Sequence, residues 1–208
     1  MTSGLPRLIV ITDWAMGERA LLGALEEVLA LGSAVAVQHR HPSAAGREFL
    51  REGRLLAERC QHFGVPLFVN QRLDVALLLD AHLHLPSRGP DVGDIRPHLP
   101  VGRWISAAVH DEEEANRAKG ADLALVSPVF PAGSKPDDRR VALGPDGFAR
   151  LVNRLDCPAF ALGGVDPERA RLLPADVTAG AAVLSAVLKA ERPVEAARAL
   201  LESLGARR

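Results

Sequence analysis

Short apolar runs that end in polar residues recur along the chain, each followed by a stretch with helical spacing. Residues 7–13 form a continuous apolar run closing on Thr12 and Asp13, the pattern of a strand covered on both faces. Leu21, Leu22, Leu25, Val28 and Leu29 then repeat at helical spacing, and Gly32 stops them. The spacing predicts further strands at 33–40, 65–72, 82–86, 104–110, 123–130, 158–165 and 180–187. Between them lie a helix capped by Ser43 and closed by Gly64, a short helix at 73–79, and at most a turn near 92–98. A helix capped by Asp111, one over 146–155, one opened by Asp166 and Pro167, and one over 194–204 complete the set. Eight strand–helix alternations predict an α/β fold, a single (β/α)8 TIM barrel spanning residues 1–208, with no linker or second domain. An open doubly wound sheet is the alternative, but the first strand is not followed by GxGxxG.

Composition narrows the function. The 208 residues suffice for one substantial core, and 25 Lys+Arg against 26 Asp+Glu give a net charge of -1, so no long-range field favours nucleic acid or an anionic membrane. Tyr is absent and aromatics make up 4%, which argues against base-stacking platforms. Cys60 and Cys157 lack CxxC spacing and read as buried thiols in a reducing compartment. No apolar run reaches membrane-spanning length and no signal-peptide pattern opens the chain, so the expectation is a cytoplasmic protein.

In such a barrel the strand C-termini converge on one face. Gly163 and Gly164 lie at the end of the seventh strand, and Leu184 and Ser185 at the end of the eighth. Together they offer main-chain amides to a phosphate, with glycine allowing close approach. Arg40 and Arg72 end two successive strands and suit either an anion clamp or the rim of the barrel. Gln38 and Asn70 supply neutral hydrogen-bonding groups to a ligand or to the barrel itself. His110 suits proton transfer, or alternatively bonding at a helix start. Ser134 and Lys135 lie in a polar loop over 131–145, where the lysine meets phosphate or solvent. His39/His41 and His82/His84 alternate along strands, but without nearby Cys or acidic partners they form no expected metal site.

These motifs together resemble the thiamine phosphate synthase and thiazole tautomerase superfamily, from about Leu8 to Val187. The resemblance is carried by Val10-Ile11-Thr12-Asp13, Gln38-His39-Arg40, Asn70-Gln71-Arg72, His84-Leu85, Pro128-Val129-Phe130-Pro131, Ser134-Lys135-Pro136, Leu162-Gly163-Gly164-Val165 and Val183-Leu184-Ser185. It implies a barrel that binds hydroxyethyl-thiazole phosphate on Gly163, Gly164, Leu184 and Ser185. The synthase branch joins a pyrimidine diphosphate to that thiazole with Mg²⁺ held by two aspartates, where this chain has Gln71 and Gly89. Its lysine after the second strand is Pro42 here, its fifth-strand serine is Ala108, and its threonine-rich loop is Ala132-Gly133-Ser134. The tautomerase branch lacks the acids, and its Leu-Pro-Ser matches Leu85-Pro86-Ser87. Its Ser-Val-His aligns with Ala108-Val109-His110, which would make His110 the proton shuttle. The expectation is therefore a thiazole tautomerase, an isomerase with no metal. A synthase that would need Mg²⁺ and a non-catalytic binder of thiamine precursors are the alternatives. The family also leads one to expect a homodimer.

Overall fold

The computed structural model describes residues 4–131 and 141–205. Eight parallel strands close on themselves in chain order: β1 Leu8–Ile11, β2 Val35–His39, β3 Leu67–Asn70, β4 His82–Leu85, β5 Ile105–Val109, β6 Leu123–Val126, β7 Ala159–Leu162 and β8 Thr178–Val183. The sheet closes through Leu8 opposite Ala181 and Val10 opposite Val183. The helices are α1 Glu18–Leu29, α2 Gly46–Phe63, α3 Leu73–Leu78, α4 Val92–Ile95, α5 Glu112–Arg117, α6 Gly144–Val152, α7 Pro167–Ala170, α8 Ser185–Leu188 and α9 Pro193–Gly205. The expected (β/α)8 barrel is what the chain forms. Among the described residues no helix is long and apolar enough to cross a membrane.

Strand alternation divides the core in two. One phase of the strands, including Leu8, Val10, Val35, Val37, Val69, Leu83, Val109 and Val126, packs outward against the helices. The other phase, Ile9, Ile11, Ala36, Phe68, Leu123, Leu125, Phe160 and Ala182, fills the barrel. Both phases are buried, which is why the strands read as unbroken apolar runs. Helices follow local signals. Asp111 accepts from Glu114 N at 2.9 Å and Asp166 from Arg169 N at 2.8 Å, each capping the helix after its strand. Gly64 closes α2 at φ 65° with its amide bonded back to the last turn.

Several boundaries move. Ser43 does not cap α2. The chain first turns, with Ala44 N donating to His41 O, and the helix starts at Gly46 after Ala45, which makes no side-chain cap bond. Gly32–Ala34 form a 3₁₀ turn, not strand, and Ser185 opens α8 where the eighth strand was expected to continue. Residues 92–98, expected to hold at most a turn, form α4 and a further 3₁₀ turn.

At the foot of β8, Gly180 is pressed between the Arg7 carbonyl and the Phe160 ring. A Cβ there would lie 2.4 Å from Arg7 O and 2.5 Å from Phe160 Cε1. Gly180→Ala therefore costs about 1–3 kcal/mol of stability, read as a lowered midpoint in chemical unfolding. An unchanged midpoint would show that this corner of the barrel yields freely.

Candidate functional site

The inward phase turns polar towards the strand C-termini. Asn70 stands opposite His84, and His84 opposite Ser106, in the parallel register. Gln38 Nε2 donates to Asn70 Oδ1 at 3.4 Å, and His84 Nδ1 lies 2.7 Å from Ser106 Oγ, forming a polar layer above Phe68. Gln38, His84 and Ser106 are buried, while Asn70 is half-buried. Arg40 continues the phase of Ala36 and Gln38. Its guanidinium is half-buried and makes no hydrogen bond or ion pair among the described residues. Burial pulls its pKa below the usual value, with the Asp13 charge acting in the opposite direction. Asp13 itself pairs with Lys189 at 3.3 Å. Thr12 clasps the end of β2, accepting from Arg40 N and donating to Arg40 O.

The residues expected to seat an anion lie at the ends of β7 and β8, which the Leu162–Ala182 pairing brings side by side. Gly163 and Gly164 take φ of 93° and 61°, and their amides donate to no acceptor among the described residues. A Cβ on Gly164 would lie 2.5 Å from Pro131 O, and one on Gly163 3.0 Å from Pro128 Cα. Only glycine fits both the dihedral and the contact. Leu184 and Ser185 lead into α8 beside them.

Other expected residues go elsewhere. Arg72 does not join Arg40 in a clamp. Its Nε and Nη2 donate to Asp74 at 2.9 and 2.6 Å, and the guanidinium lies over the Phe49 ring on the outer side of the barrel. Ser134 and Lys135 fall outside the described residues. His110 sits at the end of β5, where its Nδ1 is 2.6 Å from Glu114 Oε2, and the same oxygen accepts from His110 N at 2.8 Å.

Ser106 and Glu114 were not singled out from the sequence, and His84 entered only as one of a histidine pair and as a residue of the family resemblance. Counting two residues back from Ala108 along β5 reaches Ser106. Glu114 was hidden in the acidic first turn of α5.

His39 faces outward, taking a hydrogen bond from Trp14 Nε1 at 3.3 Å and donating through Nε2 to Phe49 O at 2.9 Å. His41 on the same face meets both oxygens of buried Glu52. Among the described residues no group of three His, Cys, Asp or Glu could hold a metal. Burial pushes the thiols of Cys60 and Cys157 up to about 12, so both are inert at neutral pH.

The thiamine monophosphate synthase family model matches residues 8–187. The chain belongs to that family. It is 37% identical over 199 residues to the thiamine-phosphate synthase of Chlorobium luteolum, covering 94% of this chain and 92% of that protein. With the thiamine-phosphate synthase of Chloroflexus aurantiacus it shares 33% over 197 residues, covering 93% and 90%. It superposes on thiamine phosphate pyrophosphorylase from Pyrococcus furiosus with a TM-score of 0.82, 30% identity and 96% of each chain covered. These relatives overturn the expectation of a tautomerase, because they carry the synthase name over nearly the whole chain. The missing acids had been weighed above that overall likeness.

The family implies Mg²⁺, and this chain's residues fit it poorly at the two positions aligned with the synthase aspartates. Gln71 is exposed and left-handed at φ 67°, with its amide tied to His84 O at 2.8 Å. Gly89 has no side chain and is folded against Pro86. An amide and a glycine do not supply the carboxylate oxygens that a hard cation selects.

Three buried histidines make stability acid-sensitive. Burial lowers His39 and His82 to about 4, and lowers His84 to about 3 with the Arg40 charge acting in the same direction. The ordinary histidine value is 6.5, so between that pH and the folded values the unfolded chain binds more protons. Stability therefore falls as pH drops below 6.5, by up to about 1.4 kcal/mol per pH unit for each histidine. Urea unfolding at pH 7 and pH 5 measures this. Equal stabilities at the two pH values would contradict it.

Proposed function

We propose that the barrel mouth is the substrate site of a thiamine-phosphate synthase, which joins a pyrimidine diphosphate to hydroxyethyl-thiazole phosphate and releases diphosphate. Family membership and the names of the relatives support this reaction class. The observation that carries the reading in this chain is Arg40, a half-buried guanidinium with no carboxylate bonded to it among the described residues. A desolvated cation without an ion-pair partner is stabilised by a bound anion.

In this reading the thiazole phosphate rests on the amides of Gly163 and Gly164 and on the Leu184–Ser185 turn. Charge there is met by fixed main-chain dipoles that need no rearrangement. Arg40 faces the diphosphate end and offsets the charge that develops as diphosphate leaves. Neutral His84, Gln38 and Asn70 form the floor, offering donors and acceptors to heteroaromatic ring edges without adding charge. Because Gln71 and Gly89 do not fit a magnesium site, no step is assigned to a metal.

The test is thiamine phosphate formation from the two substrates, measured with and without Mg²⁺. Product should form with the wild-type chain. Arg40→Gln should lower kcat/KM on the order of 10- to 100-fold, the range for hydrogen bonds to a charged group. Thiazole phosphate binding without product formation under either condition would sink the reading.

A further inference from the structure

Joining the two rings and releasing diphosphate gives a histidine–carboxylate pair no evident part, yet one stands at the end of β5. The ring of His110 is nearly buried, with 13% of its side chain exposed, and Glu114 is equally enclosed at 15%. Glu114 Oε2 lies 2.6 Å from His110 Nδ1 and accepts from the His110 amide at 2.8 Å. A carboxylate oxygen at that distance is an acceptor, so Nδ1 carries the hydrogen. In the neutral imidazole the lone pair is then on Nε2. No hydrogen bond to His110 Nε2 occurs among the described residues. His110 continues the inward phase of Ser106 and Ala108. Glu114 is itself held from two sides, with Asp111 capping its amide at 2.9 Å and Arg117 standing 3.7 Å from its other oxygen.

We propose that Glu114 is a positioning residue for the synthase site. It fixes His110 as the Nδ1–H tautomer, so that a bare Nε2 faces the mouth and accepts a hydrogen bond from an N–H or O–H group on the bound heteroaromatic substrate. This rests on the synthase reading for the identity of the substrate, but the tautomer is a property of the free protein. The competing role for Glu114 is purely structural, as part of the cap of α5. Asp111 provides the control, because it caps the same helix without touching the imidazole.

The experiment uses the full chain labelled with ¹⁵N, and reads the His110 ring nitrogens by long-range proton–nitrogen correlation without substrate. Steady-state kinetics are then run on the same samples. Wild type and Asp111→Ala should show Nδ1 protonated and Nε2 bare. Glu114→Ala should show a tautomer mixture and about a tenfold fall in kcat/KM, the value of one hydrogen bond. Glu114→Gln keeps an oxygen acceptor in place and should restore both the spectrum and most of the rate, even if the alanine variant is too unstable to study. A protonated Nε2 in the wild type would overturn the proposal. So would an unchanged tautomer in Glu114→Ala, or equal losses of rate in Glu114→Ala and Asp111→Ala. A wild-type chain with no synthase activity would overturn the substrate half, and the substrate-free spectrum tells that failure apart from an error about Glu114.

Discussion

The period of two along a strand, imposed eight times around a closed sheet, governs this molecule. Closure leaves no edge, so each strand must present one phase to the helices and the other to the barrel axis. The lower part of the inner phase is filled by Phe68, Leu123 and Phe160. Towards the strand C-termini the same phase makes neighbours of Gln38, Asn70, His84 and Ser106. A shift of one residue in any of these strands would exchange a site residue for an aliphatic one facing the helices. The site is thus an extension of the core by a different choice of side chain.

The electrostatics follow from that placement. Water is largely excluded from the polar layer, so His84 stays neutral and Arg40 stays charged but poorly solvated. The glycine seat adds main-chain dipoles without mobile parts. Under the proposed function, an arriving anion would meet the Arg40 cation and the Gly163 and Gly164 amides already in place. This local arrangement answers the near-zero net charge of the chain, which offers little attraction from a distance.

Much of the barrel could be read from the sequence because each unit is announced locally. Runs such as Leu8–Ile11 are apolar throughout, Gly64 stops a helix, and Asp111 and Asp166 start helices. The glycine pair was legible as well, since its dihedrals and contacts permit no other residue. What escaped was set by three-dimensional neighbours. Arg72 ends a strand as Arg40 does, but Asp74, two residues on, captures it outside the barrel. Nothing in the spacing ranks that local pairing above a ligand. Glu114 looked like one of three equivalent acids in a helix start, and only folding turns it back onto His110. The branch of the family was misjudged because Gln71 and Gly89, two positions, were allowed to outweigh likeness along the whole chain.

The segment leaving β6 is fastened beside the glycine pair at both of its ends. Val129 N and Phe130 N donate to Leu162 O and Gly163 O, while Leu143 N and Gly144 N return to Pro128 O and Val129 O. Four main-chain bonds thus form a clasp that ties β6, β7 and the start of α6 together. Because all four run between backbone atoms, the clasp depends on the path of the chain and not on which side chains that path carries.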